Sequence, residues 1–263
     1  MILFTAPSKT QSPPIQNNPA YQDFTLPQSL NKSTQLINEL KKLTEKQLAE
    51  LMKTSAKLTT ATLQKIRSFS TPFTLENAGH TLRTFHGDAY DAITAEQYTV
   101  DQLNYAQDHL IILSGLYGIL RPLDLMQPYR LEMGTRLKFS GYKNLYQFWQ
   151  EEITAKVLAL LTQTSDATLI NLASAEYSKA IDKKQIIKNG GRMIEVLFQQ
   201  PHPKGKDGYN TIPIHSKRAR GKMIHFAIQN NVTEAEKLQE FSADGYLFIP
   251  VKSTPQTWLF RKM

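Results

Sequence analysis

The stretch from Leu110 to Leu120 reads LIILSGLYGIL and is the longest apolar stretch of the chain. Its first four residues form an apolar run typical of a buried strand, and Gly115 and Gly118 follow where the backbone can turn tightly because no side chain obstructs it. The stretch is well below the ~18 apolar residues that a membrane-spanning helix requires. It therefore predicts a buried strand that ends in a tight turn.

Helical and strand patterns interleave on both sides of this stretch. Ile2–Thr5 and Leu169–Leu172 predict short buried strands, and Leu36, Ile37, Leu40 and Leu43 follow a helical stripe. Further predicted elements are a loop over Gln11–Pro27, helices over Asn144–Leu161, Ser174–Ala180 and Lys217–Asn230, paired strands Arg192–Gln199 and Tyr209–Ile214, and a hairpin of Tyr246–Ile249 with Trp258–Phe260.

Three capping-box patterns mark helix starts. Thr44, Thr99 and Thr233 are each followed three residues later by Gln or Glu. No internal repeat or low-complexity tract interrupts the chain. The pattern predicts one α/β domain over residues 1–263, with a mixed sheet flanked by helices.

The charge of the chain is concentrated in one segment. The 263 residues contain 31 Lys and Arg against 23 Asp and Glu, a net charge of +8. The segment from Lys183 to Lys222 holds ten basic and two acidic residues, so the rest of the chain is balanced. Such a segment suits a polyanion such as nucleic acid, although a solvated basic surface explains charge alone equally well.

Composition excludes several classes of protein. The chain has no cysteine, which rules out disulfides, thiolate metal sites and redox-active thiols. The six histidines show no metal-ligand spacing, so we expect no metal and no cofactor. The first residues lack a basic leader, and we therefore expect a cytoplasmic protein with no membrane partner.

Charged residues stand among prolines and large apolar residues between Leu113 and Gly134. They are Arg121, Asp124, Arg130 and Glu132. We expect them to be partly buried and paired. Two interpretations remain open, a structural arginine–carboxylate network and the floor of a polar cleft, and the usual internal compensation of buried charge favours the first slightly.

Two loops carry further candidate residues. Lys9 lies in a Ser-Lys-Thr triplet that leaves the first predicted strand, where open α/β sheets bind ligands, but the glycines of a P-loop are missing. Asp88, in the sequence FHGDAY, is a turn residue or else a carboxylate base or sugar anchor. Ser174 is explained as a helix N-cap, because no nucleophile elbow surrounds it.

A cluster of cations stands near the predicted start of the helix over Lys217–Asn230. It comprises Lys217, Arg218, Arg220 and Lys222. Cations at the positive end of a helix dipole cost about 0.3–1 kcal/mol each, and no acidic residue lies between Gly208 and Thr233 to offset them. The cluster therefore favours an anion site, with phosphate as the natural ligand.

The turn Gly115-Leu116-Tyr117-Gly118 also resembles the helix-hairpin-helix element that presents backbone N–H groups to DNA phosphates. Two residues separate its glycines where the common form has one. A plain strand and turn is the simpler interpretation of these residues alone.

Taken together, these segments resemble the YaaA family of bacterial peroxide-stress proteins nearly end to end. The matching blocks are Pro7–Thr10, Phe85–Tyr90, Leu113–Gly134, Leu145–Trp149, Ile170–Tyr177 and Lys217–Gly221. Where the family more often reads Ser-Pro-Ala-Lys, this chain reads Ala6-Pro7-Ser8-Lys9, and Lys9 is retained.

The resemblance implies a cytoplasmic protein that limits unincorporated iron and so protects DNA from Fenton damage. It also implies a family-specific α/β fold with a basic cleft, and binding of double-stranded DNA through a helix-hairpin-helix-like element. The DNA-binding and anion-binding candidates are Lys9, Gly115, Tyr117, Gly118, Arg121, Arg130, Lys217, Arg218, Arg220 and Lys222.

An enzyme remains the alternative to a DNA-binding protein. In that hypothesis a nucleotide, nucleobase or other phosphorylated ligand occupies the same cleft, and Asp88, Asp124 or Glu132 transfers protons. No recognised catalytic motif identifies a reaction. Direct iron binding is the weakest hypothesis because no ligand spacing supports it, and we expect a monomer.

Overall fold

A computed structural model describes residues 1–13, 23–202 and 208–263 of the chain. Eight strands within these ranges form a mixed sheet in the order β11-β12-β9-β8-β1-β5-β6, with β10 paired to β9. The strands of the sheet are β1 (Ile2–Thr5), β5 (Leu110–Ser114), β6 (Gly118–Leu120), β8 (Thr168–Leu172), β9 (Arg192–Pro201), β10 (Tyr209–Asn210), β11 (Tyr246–Phe248) and β12 (Thr257–Lys262).

The centre of the sheet is parallel and its margins are antiparallel. β1 pairs in parallel with β5 on one side and β8 on the other, and β8, β9 and β12 continue the parallel order. β6 and β11 are antiparallel edge strands. Every residue of β1, β5 and β8 is buried, as expected for parallel strands covered on both faces.

Short strand pairs and helices surround this sheet. Outside it, β2 (Thr10–Gln11) pairs with β4 (Phe85–His86), and β3 (Gly79–His80) pairs with β7 (Leu125–Met126). The α-helices are α1 (Leu30–Lys41), α2 (Glu45–Met52), α3 (Ala56–Ser68), α4 (Thr81–Thr84), α5 (Val100–His109), α6 (Leu145–Leu161), α7 (Ala175–Ser178), α8 (Lys183–Lys188) and α9 (Pro213–Gln229). The predicted mixed sheet flanked by helices is confirmed.

Local sequence signals account for many of these elements. Thr44 and Thr99 form complete capping boxes at the starts of α2 and α5, and the Asn144 side chain caps α6. The predicted strand at Ile2–Thr5 and the hairpin of β11 with β12 are also confirmed. Most of the predicted Gln11–Pro27 loop, residues 14–22, lies outside the described residues, as do residues 203–207 between β9 and β10.

One predicted boundary is wrong, and one predicted helix start forms without its capping box. Tyr209–Ile214 was expected to be a strand, but only Tyr209 and Asn210 pair with β9, and α9 already begins at Pro213. Proline suits the first helical position because its missing N–H is not needed there. After Thr233 a 3₁₀ helix forms over Ala235–Glu240, and the Thr233 side chain does not cap it.

The helix-hairpin-helix expectation is not met by the turn at Gly115–Gly118. The turn connects β5 to β6, which are antiparallel strands rather than helices. Tyr117 is fully buried, and its hydroxyl donates to the Gln127 carbonyl at 3.0 Å. A turn enclosed in this way presents no N–H groups to a duplex.

No helix among the described residues combines the length and apolarity needed to cross a membrane.

Candidate anion-binding site

A cavity of about 460 Å³ opens at the carboxyl ends of two neighbouring parallel strands. Thr5 ends β1, Leu172 ends β8, and both line the cavity. The chain leaving β1 next enters the sheet at β5, whereas the chain leaving β8 next enters it at β9, on the opposite side. The cavity therefore lies at a topological switch point, where open α/β sheets bind their ligands.

The walls of the cavity come from segments distant in sequence. The loop after β1 supplies Lys9, the loop after β4 supplies Asp88, and α9 supplies Lys217 and Arg220. The segment after Pro128 and the start of α7 complete it. The ionisable side chains with full charges on its lining are Lys9, Arg130, Lys217 and Arg220 against Asp88, Glu132 and Glu176.

Two arginines on this lining have unused hydrogen-bonding capacity. The Nε atoms of Arg130 and Arg220 are buried and find no partner among the described residues. Burial lowers the pKa of Arg220, and the charge of Glu195 opposes that shift in part. A buried N–H donor without a partner is costly, so both arginines are suited to receive an anion.

Glu132 bridges two cations across the cavity wall. One of its carboxylate oxygens lies 2.8 Å from Lys9 Nζ, and the other lies 3.6 Å from Arg130 Nη2. The Lys9 side chain is 63% exposed, the Glu132 side chain 31% and the Arg130 side chain 18%. The bridge thus runs from the open mouth of the cavity toward its interior.

Three of the described tyrosines line the cavity, and all three hydroxyls have protein partners, which for Tyr177 is the Met133 backbone. The Tyr90 hydroxyl donates to the Ala6 carbonyl at 2.8 Å, and the Tyr129 hydroxyl accepts from Ser114 Oγ at 2.7 Å. Burial raises the pKa of Tyr90, Tyr129 and Tyr177 well above the ordinary range. These hydroxyls therefore stay protonated, and Tyr90 and Tyr129 offer ring surface to the cavity rather than a free polar group.

Two glycines allow the walls to approach one another. A Cβ on Gly115 would lie 2.3 Å from the carbonyl oxygen of Leu131, the residue between Arg130 and Glu132. A Cβ on Gly221 would lie 2.0 Å from the carbonyl oxygen of Ala89, next to Asp88. The predicted importance of Gly115 thus has a different cause, which is close packing beneath the cavity wall.

The other two charged residues of the predicted stretch, Arg121 and Asp124, do not line the cavity. Arg121 Nε donates to the Gln107 carbonyl at 2.8 Å, and its Nη2 lies 3.1 Å from Asp108. Asp124 is buried and accepts from Thr25 Oγ1 at 2.6 Å and from the Arg121 backbone N–H at 2.7 Å. This pair is the structural network, while Arg130 and Glu132 belong to the cavity, so each interpretation holds for half of the stretch.

The cationic cluster of α9 divides in the same way. Lys217 and Arg220 line the cavity, whereas Arg218 and Lys222 both form ion pairs with Asp244. Hydrogen bonds from Lys222 and Arg218 lower the pKa of Asp244. The cluster also begins one turn inside α9, because the helix starts at Pro213. Asp244, which is distant in sequence, therefore neutralises part of the charge of the cluster.

Sequence reasoning missed several of the described lining residues, among them Glu176, Gln11 and Tyr177. Glu176 accepts from the Gly134 backbone N–H at 2.8 Å, and Gln11 accepts from the Tyr129 backbone N–H at 2.7 Å. Tyr177 completes the group. Glu176 and Tyr177 stand four and five residues after the end of the predicted strand over Leu169–Leu172, much as Lys9 stands four residues after Thr5, so the rule that placed Lys9 at a strand end would also have found them.

The described residues contain no group of three or more His, Cys, Asp or Glu placed to hold a metal ion.

Comparison with known proteins identifies the family of the chain. A UPF0246 protein of Desulfotalea psychrophila is 47% identical over 262 residues, covering 99% of this chain and 97% of its own. UPF0246 proteins of Acaryochloris marina and Dechloromonas aromatica are 42% and 41% identical, with 99% and 100% of this chain covered and 99% of each relative. The family model described as peroxide stress protein YaaA matches residues 1–251, and the chain belongs to that family.

Proposed function

We propose that this chain acts in the peroxide-stress response by binding a small phosphorylated ligand of nucleotide size in the cavity between β1 and β8. The proposal depends on one observation. Arg130 and Arg220 line the same cavity, and the Nε atom of each is buried without a described partner. Arginine presents a planar fork that matches phosphate oxygens, and Lys9 and Lys217 add charge at the same cavity.

The volume of the cavity supports a small ligand. About 460 Å³ falls within the range of roughly 300–1,000 Å³ that is typical of small-molecule sites. The tyrosine rings offer an apolar surface, and the arginines offer anion contacts. A nucleotide combines a planar base with a phosphate, which fits both parts of this lining.

The carboxylates leave room for a reaction on the bound ligand. Asp88 is exposed, and Glu132 is partly exposed at the same cavity. Either group is able to accept or return a proton. The ligand of this proposal is therefore a substrate or an effector, and Asp124, which is buried in the structural network, has no part in that chemistry.

Two arginines of α9 provide a matched test. Arg220 lines the cavity, whereas Arg218 pairs with Asp244 and is 57% exposed. Adenosine 5′-monophosphate and inorganic phosphate would be titrated into the wild-type chain, Arg220→Gln and Arg218→Gln by isothermal calorimetry and NMR. Loss of Arg220 is expected to weaken binding about tenfold or more, as for a charge-assisted hydrogen bond of ~1.5–3 kcal/mol, and loss of Arg218 to change it little. Absence of binding to the wild-type chain, or equal losses in both variants, overturns the proposal.

DNA binding is the second candidate, and a separate observation supports it. Lys183, Lys184, Lys188, Lys217 and Arg218 are exposed and belong to the segment that carries the net charge of the chain. Exposed cations of this kind suit the phosphates of double-stranded DNA, and the affinity for DNA should then fall steeply with salt. In this case Lys217→Ala with Arg218→Ala flattens the salt dependence, whereas Arg220→Gln has less effect. If the DNA affinity of the double variant depends on salt as steeply as that of the wild-type chain, Lys217 and Arg218 do not contact DNA.

Protection of DNA through a lower level of unincorporated iron is the cellular part of the proposal, and it is supported by membership of the peroxide-stress family. Chelatable iron would be measured by electron paramagnetic resonance in a deletion strain that expresses each variant in the cytoplasm. Arg218→Gln is expected to restore a low iron level, and Arg220→Gln is expected to fail. Equal restoration by both variants would separate iron limitation from the cavity.

A further inference from the structure

Glu132 occupies the position where an incoming anion would meet two of the cavity's cations. Its carboxylate contacts Lys9 at 2.8 Å and Arg130 at 3.6 Å. The other carboxylates of the cavity are placed differently. Glu176 accepts a backbone N–H from Gly134, and Asp88 is exposed with no ion pair to a described residue. Glu132 is thus the carboxylate that bridges cavity cations among the described residues.

The surroundings of Arg130 show that this bridge is only part of its electrostatic environment. Arg130 Nε has no described partner, and Lys65, which lines a small neighbouring cavity together with Arg130, adds a like charge. Burial lowers the pKa of Lys65, and the charge of Arg130 lowers it further. The single negative charge of Glu132 therefore leaves this region with an excess of positive charge.

We infer that Glu132 sets the anion selectivity of the cavity: its carboxylate takes the place of a ligand in the free protein, and only an anion of higher charge replaces it. This inference rests on the proposed function, since it concerns the same cavity. It assigns Glu132 as a specificity-determining residue for dianionic phosphate groups.

The selectivity follows from competition between a tethered and a free anion. A carboxylate or chloride ion from solution carries the same charge as Glu132 but loses translational freedom on binding, so it gains little by exchange. A phosphate dianion interacts more strongly with the same cations and offers several acceptor oxygens to their N–H groups. The exposed Lys9 side chain is able to follow the incoming group.

The test compares the binding of two anions by the wild-type chain and by three variants. Binding of inorganic phosphate and of acetate at pH 8 would be followed by NMR for the wild-type chain, Glu132→Gln and Asp108→Asn. Asp108 is a matched control because it pairs with Arg121 away from the cavity and loses the same charge. Glu132→Gln is isosteric, and Glu132→Ala with a thermal unfolding curve provides a second variant that removes the bridge.

Both Glu132 variants are expected to bind phosphate about two- to fivefold more tightly than the wild-type chain, because the partly exposed ion pairs of Glu132 that phosphate must displace are weak. Acetate affinity is expected to rise by a larger factor, so the ratio of phosphate to acetate affinity falls. Asp108→Asn should leave both affinities within the error of the titration.

The outcomes separate the inference from the proposed function. Weaker phosphate binding in Glu132→Gln would show that Glu132 contacts the ligand favourably and would overturn the inference while leaving the cavity as the site. An unchanged selectivity ratio would also overturn it. Equal gains in phosphate affinity in Glu132→Gln and Asp108→Asn would show that the net charge of the chain, and not the position of Glu132, causes the effect, and would overturn the inference. Absence of phosphate binding by the wild-type chain and by both Glu132 variants would instead refute the proposed function.

Discussion

Two arginine–carboxylate pairs share the stretch between Leu113 and Gly134, and their hydrogen bonding separates their roles. Arg121 contacts Gln107 and Asp108, and Asp124 accepts from Thr25 and from the Arg121 backbone. Arg130, by contrast, keeps a buried Nε–H without a described partner. A charged group whose donors and acceptors are all engaged stabilises the fold, whereas one that retains unused donors is available to a ligand.

The first prediction tests the structural role of Asp124. Asp124→Ala is expected to lower the free energy of unfolding by about 3–5 kcal/mol, because the Thr25 hydroxyl and the Arg121 N–H lose a buried acceptor. Chemical denaturation measures the change. Asp108→Ala, which removes the exposed partner of Arg121, is the control and should cost less than about 1 kcal/mol. Similar costs for both variants would contradict a structural role specific to Asp124.

The second prediction concerns the support beneath the ligand-facing pair. Gly115→Ala places a Cβ 2.3 Å from the Leu131 carbonyl oxygen, so the segment that carries Arg130 and Glu132 must shift. We expect a loss of about 2–3 kcal/mol in the free energy of unfolding, as for overpacking of a core, together with weaker phosphate binding. Gly134→Ala is the control, since its Cβ would meet only the end of the Glu176 side chain at 3.1 Å. Equal stability of the two variants would show that the close approach at Gly115 is not required.

Much of the fold could be predicted because its signals are local. The apolar runs of β1 and β8 and the capping boxes at Thr44 and Thr99 depend on residues close in sequence. The start of α9 differs from the prediction because the pattern over Tyr209–Ile214 resembles a strand, whereas Pro213 in fact occupies the first helical position.

Several residues of the candidate site could be named from the sequence, but their grouping could not be predicted. Lys9, Asp88, Arg130 and Arg220 come from four separate segments, and only the sheet order brings them to one cavity. The partition of the α9 cations was partly accessible from the sequence. Residues three or four apart share a helix face, which groups Lys217 with Arg220 and Arg218 with Lys222. The pairing of the second group with Asp244 is long-range and carries no local signal.

A third cation–carboxylate cluster surrounds Glu152, and its contribution to stability can be tested by changing the pH. Burial alone would raise the pKa of Glu152, but hydrogen bonds from Lys156, Lys32 and Ser29 outweigh it and lower the pKa to about 2. Because the pKa of Glu152 is lower in the folded state, the cluster stabilises the protein at pH values above the pKa that Glu152 has in the unfolded chain. This contribution is lost as the pH falls toward 2.

The expected size of that effect is modest because the Glu152 side chain is 25% exposed. Glu152→Gln should cost about 1 kcal/mol at pH 7, and the difference from the wild-type chain should vanish on acidification. Denaturation curves between pH 7 and pH 2.5 measure it. A cost that stays constant over this range would mean that packing, rather than charge, accounts for the role of Glu152.

The smallest effect on stability is expected for Arg130 itself, and it sharpens the comparison most. Arg130→Gln removes a guanidinium whose Nε is unpaired and which adds a like charge beside Lys65, so we expect the free energy of unfolding to change by less than about 0.5 kcal/mol. The same substitution should raise the pKa of Lys65 and weaken phosphate binding, while Arg121→Gln should do the reverse, destabilising the fold and leaving phosphate affinity intact. Denaturation and phosphate titration on both variants measure the crossover. A large loss of stability in Arg130→Gln would place this arginine with the structural pair, because a residue held ready for a ligand contributes little to the fold that positions it.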